Sequence, residues 1–411
     1  TSPSQGECQG FESPYPLLQA FRVCGMPFCC MARALRSRLK EPLVPLTPAS
    51  LPPALEIVCD GAPGRLNEDA WLVMQSGHLG ERVLIAAIDG ATTRLTPPLL
   101  QRYLNTLSQK LTPAAYAARV VRDALTRLIA EGMITDLRAL LLEANADLGR
   151  ALIERFGELS LERMGFPDEI YDTLSHDPRL VRLALPACVV TLAEYDPATN
   201  DLRWAHAGDT ALIVAYDDGR VEFPTAAHAP EFDNALTRAA LKLRGEHPDM
   251  PFRALAEQPE VRKLNLNNGL RHNYVDKHGL PQPGQGVGVL DGLPELRYFV
   301  QTGTLSLDRV RFAGVLTDGL LWPTSTDEVF APDTETATAL AEERRAFMAE
   351  QIRERGLAGY LALLRYAERE DADHETYPRL KTHDDATGVL LRFDTPQPVA
   401  PPDEETEDSE D

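Results

Sequence analysis

The stretch VLIAAIDG (residues 83–90) shows the pattern that decides the fold, because an apolar run ends there in an aspartate and a glycine. The same arrangement returns in FAGVLTDG (residues 312–319). Short apolar runs bounded by Gly, Asn and Asp are typical of β-strands. Two further runs of this kind, residues 55–59 and 70–74, precede the first stretch. A β-sheet is therefore predicted to open the folded region.

The periodicity changes after this sheet. In AAYAARVVRDALTRLIAEG (residues 114–132) apolar residues recur at helical spacing, and Gly132 stands where a left-handed C-cap is needed. Thr135 is the predicted N-cap of a second amphipathic helix, whose apolar stripe begins at Leu137. Two consecutive amphipathic helices are the expected structure.

Alternation with a period of two returns at residue 187, and we predict one antiparallel meander from there to residue 223. Residues 225–300 are polar and contain several Gly and Pro, which indicates an atypical insertion or a flap with a helix at 235–243. The chain then returns with a strand, two helical segments and a last strand. Strands, then helices, then strands favour an α+β fold over a parallel doubly wound sheet.

The two ends of the chain differ in composition from the rest. Residues 1–53 are rich in Pro and Ser without a sustained period, and residues 395–411 are Pro-rich and then acidic. Such segments bury too little apolar surface to fold alone. We therefore expect a disordered leader, a folded domain over residues 54–394 and a disordered acidic tail.

Composition excludes several classes of protein. The 411 residues are 44% hydrophobic, yet no run approaches the roughly 20 apolar residues of a membrane-spanning helix. The formal charge of −21 disfavours nucleic acid and anionic lipid as partners. The six cysteines have the spacing of neither a disulfide framework nor a zinc site, which favours a reducing cytoplasm.

Aspartates at the ends of apolar strands are the main chemical signal. A carboxylate there costs desolvation free energy unless a cation or hydrogen-bond donors compensate it. Several carboxylates at one rim of a sheet would make an oxygen-rich site for a hard cation such as Mg²⁺ or Mn²⁺. A single Asp-Gly pair is more often a turn, as at residues 217–219. The recurrence of the pair, together with NEDA (residues 67–70), favours the metal site.

Five short segments, each with an aspartate among small neighbours, follow one another along the chain: GRLNEDA (64–70), AAIDGAT (86–92), AHAGDTALIV (205–214), GVLTDGL (314–320) and DDATGVLL (384–391). In this order they resemble the successive motifs of the metal-dependent serine/threonine protein phosphatases, the type 2C family. Residues 284–319 are similar to a bacterial branch of that family. The resemblance implies a four-layer αββα sandwich, in which helices flank two antiparallel sheets.

The resemblance also implies a binuclear centre of two Mn²⁺ or Mg²⁺ ions, with a weaker third ion. Asp69 and Asp89 are similar to the carboxylates that bridge the two ions. Asp318 and Asp384 resemble the terminal carboxylates of the second ion. These four residues are the catalytic residues that the family pattern implies.

Supporting roles follow from the same resemblance. The Gly90 carbonyl joins Asp89, Glu68 reaches a metal through water, and Asp209 supports the third ion. Arg65 is implied as the clamp for the substrate phosphate, since a guanidinium can grip two phosphate oxygens. It stands one residue closer to Glu68 than in many family members, and an ordinary surface arginine is the alternative interpretation.

The function implied is the removal of phosphate from phosphoserine or phosphothreonine of proteins, through attack by a hydroxide that bridges the ions. We expect a cytoplasmic monomer with a phosphorylated protein as substrate and neither nucleic acid nor a membrane as partner. Two alternatives remain open: a small-molecule phosphatase with the same site, and a non-catalytic regulatory binding module. His206 and His228 are interpreted as packing or surface histidines.

Overall fold

The computed structural model describes residues 53–75, 80–132, 135–157, 164–225 and 230–393. The predicted leader, apart from Pro53, and the predicted acidic tail lie outside these ranges, as does His228. Within the described ranges, no helix is both long and apolar enough to cross a lipid bilayer.

In the part of the chain that the structure describes, two antiparallel sheets of five strands each form the centre. The strands are β1 (Ala54–Asp60), β2 (Ala70–Met74), β3 (Val83–Ala91), β4 (Ala187–Asp196), β5 (Asp201–Ala207), β6 (Ala211–Tyr216), β7 (Val221–Glu222), β8 (Gln301–Ser306), β9 (Val310–Leu316) and β10 (Ala386–Arg392). Sheet I has the order β1-β10-β9-β6-β7, and sheet II has the order β2-β3-β4-β5-β8.

Nine α-helices lie in the described ranges, and some of them cover the outer faces of the two sheets. They are α1 (Pro98–Thr106), α2 (Pro113–Glu131), α3 (Leu137–Phe156), α4 (Asp168–Ser175), α5 (Pro230–Glu246), α6 (Phe252–Ala256), α7 (Pro259–Gly269), α8 (Thr326–Val329) and α9 (Thr334–Glu370). Helix α9 is two helical segments that meet at Gly356, which has a φ of 70°. This agrees with the two helical segments predicted in that region.

Alternation along the strands builds three apolar layers. In β3, Leu84 and Ile88 pack with α2 and α3, whereas Ile85 faces the other sheet. In β9, Phe312 packs with α9, whereas Val315 joins the layer between the sheets. Because successive side chains of a strand point to opposite faces, one strand serves two layers. The architecture is the α+β, four-layer αββα sandwich that was predicted.

The helix ends are partly as predicted. Gly132 ends α2 with a φ of 66° in the left-handed region, as expected. The prediction that Thr135 caps α3 is wrong, because the backbone N–H of Ala139 donates to Oδ1 of Asp136 at 2.7 Å. Both residues are good N-caps, and the spacing to the first helical turn decides between them.

The predicted single meander is also wrong. Strands β4 and β5 pair within sheet II, but β6 and β7 belong to sheet I. The chain changes sheets between Ala207 and Ala211. Alternation with a period of two identifies a strand but does not identify its partner, so the sequence pattern missed this crossing.

The region 225–300 contains helices α5, α6 and α7, and α5 is longer than the predicted 235–243. These helices have a small apolar core of their own, and Leu380, which precedes β10, packs against it. The core residues are Leu236, Ala240, Phe252, Leu255 and Val261. The insertion therefore supports the loop that leads into β10, and its action as a flap stays a prediction.

A buried carboxyl group next to β4 gives a testable dependence of stability on pH. Asp291 is 1% exposed, and burial raises its pKa to about 6, against the opposing effects of a hydrogen bond from the Leu293 N–H and the charge of Arg182. A folded pKa above the unfolded value means that this stabilisation is complete below about pH 4 and is lost as the pH rises through about 6.

We expect Asp291→Asn to remove this loss. Between pH 4 and pH 7, the unfolding free energy of the variant should gain about 2–3 kcal/mol relative to that of the unmodified chain, since each pKa unit is worth about 1.4 kcal/mol. Urea unfolding at several pH values measures this difference. The exposed Asp249→Asn serves as the control. If the unfolding free energies of the Asp291 variant and the unmodified chain change with pH in the same way, Asp291 does not have a raised pKa in the folded state.

Candidate metal centre

The predicted carboxylates come from both sheets and meet at one edge of the sandwich. Asp69 directly precedes β2 and Asp89 lies within β3, so both belong to sheet II. Asp318 follows β9 and Asp384 precedes β10, so both belong to sheet I. The Thr317 hydroxyl, at the end of β9, donates to Oδ2 of Asp69 at 2.9 Å. This bond joins the two sheets at the candidate site.

The carboxyl groups are close enough together to influence each other's pKa values. Burial raises the pKa of Asp89 far above its ordinary value, and the charges of Asp318, Asp69 and Asp209 raise it further. Burial likewise raises the pKa of Asp69, and the charges of Asp318 and Asp385 add to this effect. The carboxyl groups of Asp89 and Asp318 also share a hydrogen bond. The site therefore concentrates negative charge that the described residues only partly neutralise.

Two glycines allow the segments that carry the clustered carboxylates to approach each other. A Cβ at Gly90 would lie 2.7 Å from the carbonyl oxygen of Glu68, so the absence of a side chain lets that segment lie on β3. A Cβ at Gly319 would lie 1.9 Å from the carbonyl oxygen of Asp385. The Asp-Gly pairs in the sequence therefore mark close packing of backbones, in addition to any turn.

Lys381 is a site residue that the sequence analysis missed. Its Nζ donates to both carboxylate oxygens of Asp384, at 2.8 and 2.6 Å. Burial disfavours the ammonium ion, but the charges of Asp384, Asp318 and Asp89 outweigh this effect and raise the pKa of Lys381. A lysine three residues before an aspartate in a loop gives no signal by itself, because the loop conformation decides whether the two meet.

Asp385 is the second residue that the analysis did not assign. It is 8% exposed, and its two carboxylate oxygens accept from the backbone N–H groups of Ala62 and Glu68, each at 2.7 Å. The quoted motif contains both Asp384 and Asp385, but the sequence does not show which carboxylate faces the cluster. Asp385 holds the segment that carries Glu68 and Asp69.

We expect Asp385→Ala to reduce the unfolding free energy by about 2–4 kcal/mol. The substitution leaves two backbone donors without their charged acceptor, and such bonds contribute roughly 1.5–3 kcal/mol each. Asp385→Asn keeps one acceptor oxygen, so its effect should be about half as large. Urea unfolding in EDTA measures both variants. Equal stability of the Ala variant and the unmodified chain would show that the two bonds do not hold this segment.

The other predicted site residues lie around this cluster. Burial raises the pKa of Glu68, and hydrogen bonding to Thr112 and the charges of Lys381 and Arg65 oppose that increase. Arg65 itself is exposed on the loop before β2, so its role as a phosphate clamp stays a prediction. Asp209 lies between β5 and β6, close enough to Asp89 to raise its pKa.

His206 has a structural role, as predicted. It is fully buried in β5. Its Nδ1 is 2.9 Å from the Thr191 hydroxyl, and its Nε2 is 3.0 Å from the Gly208 carbonyl oxygen. Both ring nitrogens are thus engaged in internal hydrogen bonds.

The donor chemistry of the cluster fits a hard divalent cation, because all of its ligating atoms are oxygens and their charges repel each other. Among the described residues, however, no three His, Cys, Asp or Glu side chains are grouped closely enough to hold one ion as they stand. Asp384 is instead paired with Lys381. Binding of an ion by several of these carboxylates therefore requires side-chain movement.

No family model matches the chain, and no curated protein matches it. Similar solved structures include serine/threonine phosphatase Stp1 from Staphylococcus aureus, at 13% identity and a TM-score of 0.41, over 84% of this chain and 96% of that chain. The Mycobacterium tuberculosis serine/threonine phosphatase PstP/Ppp has 16% identity and a TM-score of 0.38, over 84% of this chain and 100% of that chain. The structure of RsbX in complex with magnesium has 9% identity and a TM-score of 0.37, over 82% of this chain and 94% of that chain. Similarity at this level assigns no residue roles to this chain.

Proposed function

We propose that this chain is a metal-dependent phosphomonoester hydrolase. The observation that carries the proposal is the convergence of carboxylates from four separate segments and both sheets at one edge of the sandwich, where burial and mutual repulsion raise the pKa values of Asp69, Asp89 and Asp318. Clustered carboxyl groups cost free energy unless they are compensated. A divalent cation provides that compensation and the chemistry of phosphate ester hydrolysis.

The residues that would hold the ions are Asp69, Asp89, Asp318 and Asp384. When bound, divalent cations lower the pKa of water and neutralise charge on phosphoryl oxygens. Thr317 orients the Asp69 carboxylate through its hydrogen bond. In this proposal, the Gly90 carbonyl joins Asp89, Glu68 acts through water and Asp209 supports a third ion. Arg65, which is exposed on the loop before β2, would bind the phosphate of the substrate in this proposal.

The proposed substrate is phosphoserine or phosphothreonine on a protein, and it rests on the five resembling motifs. We also propose that the chain is a cytoplasmic monomer. The charge of −21 supports the proposal that it binds neither nucleic acid nor a membrane. Mn²⁺ and Mg²⁺ both fit the oxygen donors.

The test is hydrolysis of p-nitrophenyl phosphate with increasing Mn²⁺ or Mg²⁺, and with EDTA as the control. Metal-dependent turnover is expected. A panel of phosphopeptides, sugar phosphates and nucleotides then decides the substrate class, and a rate confined to the small esters would support the small-molecule alternative.

One observation favours the non-catalytic alternative, a regulatory binding module. The ion pair between Lys381 and Asp384 already neutralises one of the expected metal ligands. If the chain is inert at every metal concentration, the binding module replaces the enzyme as the best interpretation.

A further inference from the structure

A positively charged side chain lies inside the candidate metal centre. We propose that Lys381 is a built-in cation that competes with a divalent ion for the Asp384 carboxylate, so that the ion bound through Asp384 is held more weakly than the other. This inference rests on the proposed function, because it concerns how the same centre is loaded with metal.

Both carboxylate oxygens of Asp384 and its backbone carbonyl oxygen already accept hydrogen bonds. Lys381 Nζ contacts both carboxylate oxygens, and the backbone N–H of Asp385 donates to Oδ1 at 3.0 Å. Arg365 fixes the backbone at the same residue, since its Nη2 donates to the Asp384 carbonyl oxygen at 2.6 Å. A divalent ion at this carboxylate must either displace the ammonium group or bind beside it, against its charge.

The loop that carries Lys381 is anchored by the two residues directly before the lysine. Leu380 packs against the apolar core of the insertion. The Arg379 guanidinium donates to Oδ2 of Asp371 at 2.7 Å and to the Glu368 carbonyl oxygen at 2.8 Å. Lys381 is therefore directed at the cluster by its neighbours, although its side chain is 43% exposed. The insertion supplies part of that anchor.

Charge explains why the competition should be measurable. The ammonium group acts on Asp384, Asp318 and Asp89 together, so it opposes any cation at these carboxylates. Repulsion between an ammonium ion and a divalent ion a few ångströms apart is substantial, although solvent screens part of it at this half-exposed position. Removing the lysine charge should therefore tighten the weaker of the two sites by about tenfold or more.

The experiment is a titration of the metal-stripped full chain with Mn²⁺. Binding is measured by electron paramagnetic resonance of the free ion and by calorimetry. We compare the unmodified chain with Lys381→Met, which keeps length and removes charge, and with Lys381→Arg, which keeps the charge. The exposed Lys277→Met is the matched control. The weaker site should tighten about tenfold in Lys381→Met only. If that variant does not fold, Lys381→Gln is used in its place.

Identical Mn²⁺ isotherms for the unmodified chain and Lys381→Met would overturn the inference while leaving the phosphatase proposal intact. Equal tightening in Lys381→Arg would also overturn it, because a retained charge should keep the competition. Absence of Mn²⁺ binding in every variant would reject both the inference and the metal-dependent function.

Discussion

Asp318→Asn should reduce metal-dependent hydrolysis of p-nitrophenyl phosphate by about 10²- to 10³-fold. The Asp318 carboxyl group shares a hydrogen bond with Asp89, and its charge raises the pKa values of both Asp89 and Asp69, so it contacts or influences most of the cluster. The substitution keeps the size of the side chain and removes the charge of a proposed metal ligand. Loss of one preorganised electrostatic group commonly costs rates of this order. The measurement is kcat/KM as a function of Mn²⁺ concentration.

The same variant provides its own control for folding. Because burial and the charge of Asp384 raise the pKa of Asp318, removing the carboxyl group relieves repulsion in the metal-free chain. Urea unfolding in EDTA at pH 8 should therefore show a variant at least as stable as the unmodified chain. Asp249→Asn, at an exposed position, should change neither activity nor stability. If Asp318→Asn is fully active, Asp318 is not a catalytic residue.

Gly319→Ala should have the largest effect on the fold and should also abolish activity. Its new Cβ would lie 1.9 Å from the Asp385 carbonyl oxygen, a backbone atom that cannot rotate away. Relief requires separation of the segment after β9 from the segment before β10, which carry Asp318 and Asp384. We expect a loss of about 3 kcal/mol in unfolding free energy, at the upper end of overpacking costs. Urea unfolding measures this loss.

Gly245→Ala is the matched control, because nothing lies within 4 Å of its Cβ position in α5. This change should be neutral or should stabilise by up to about 1 kcal/mol, since Ala favours a helix over Gly. If both glycine variants are as stable as the unmodified chain, the close approach at Gly319 does not constrain the site. Loss of activity in Gly319→Ala without loss of stability would show that the substitution moves only the carboxylates of the proposed site.

The α+β class was predictable because its signals are local, whereas the four-layer sandwich was implied by the resemblance of the five motifs. Apolar runs that alternate in period two identified the strands, and the Asp-Gly pairs after VLIAAI and FAGVLT located the edge where Asp89 and Asp318 meet. Burial and hydrophobic layering follow from the same alternation. Asp89 and Asp318 could therefore be predicted as candidate site residues from the pattern alone.

The features that sequence analysis missed depend on contacts between segments far apart in the chain. The crossing of the chain from β5 to β6 places consecutive strands in different sheets, which alternation does not record. Lys381 and Asp385 acquire their roles only through the conformation of the loop before β10, and Leu380 reaches a core formed by residues more than 100 positions earlier. No local spacing encodes these contacts.

The origin of the carboxylates in both sheets has a mechanical consequence. A cation shared by Asp69 and Asp89 on one side and by Asp318 and Asp384 on the other would be a cross-link between the two halves of the sandwich. Separation of the sheets would then require the ion to dissociate, so bound metal stabilises the folded state by mass action. The supply of metal would thus govern how long the molecule resists proteolysis, whether or not it turns over a substrate.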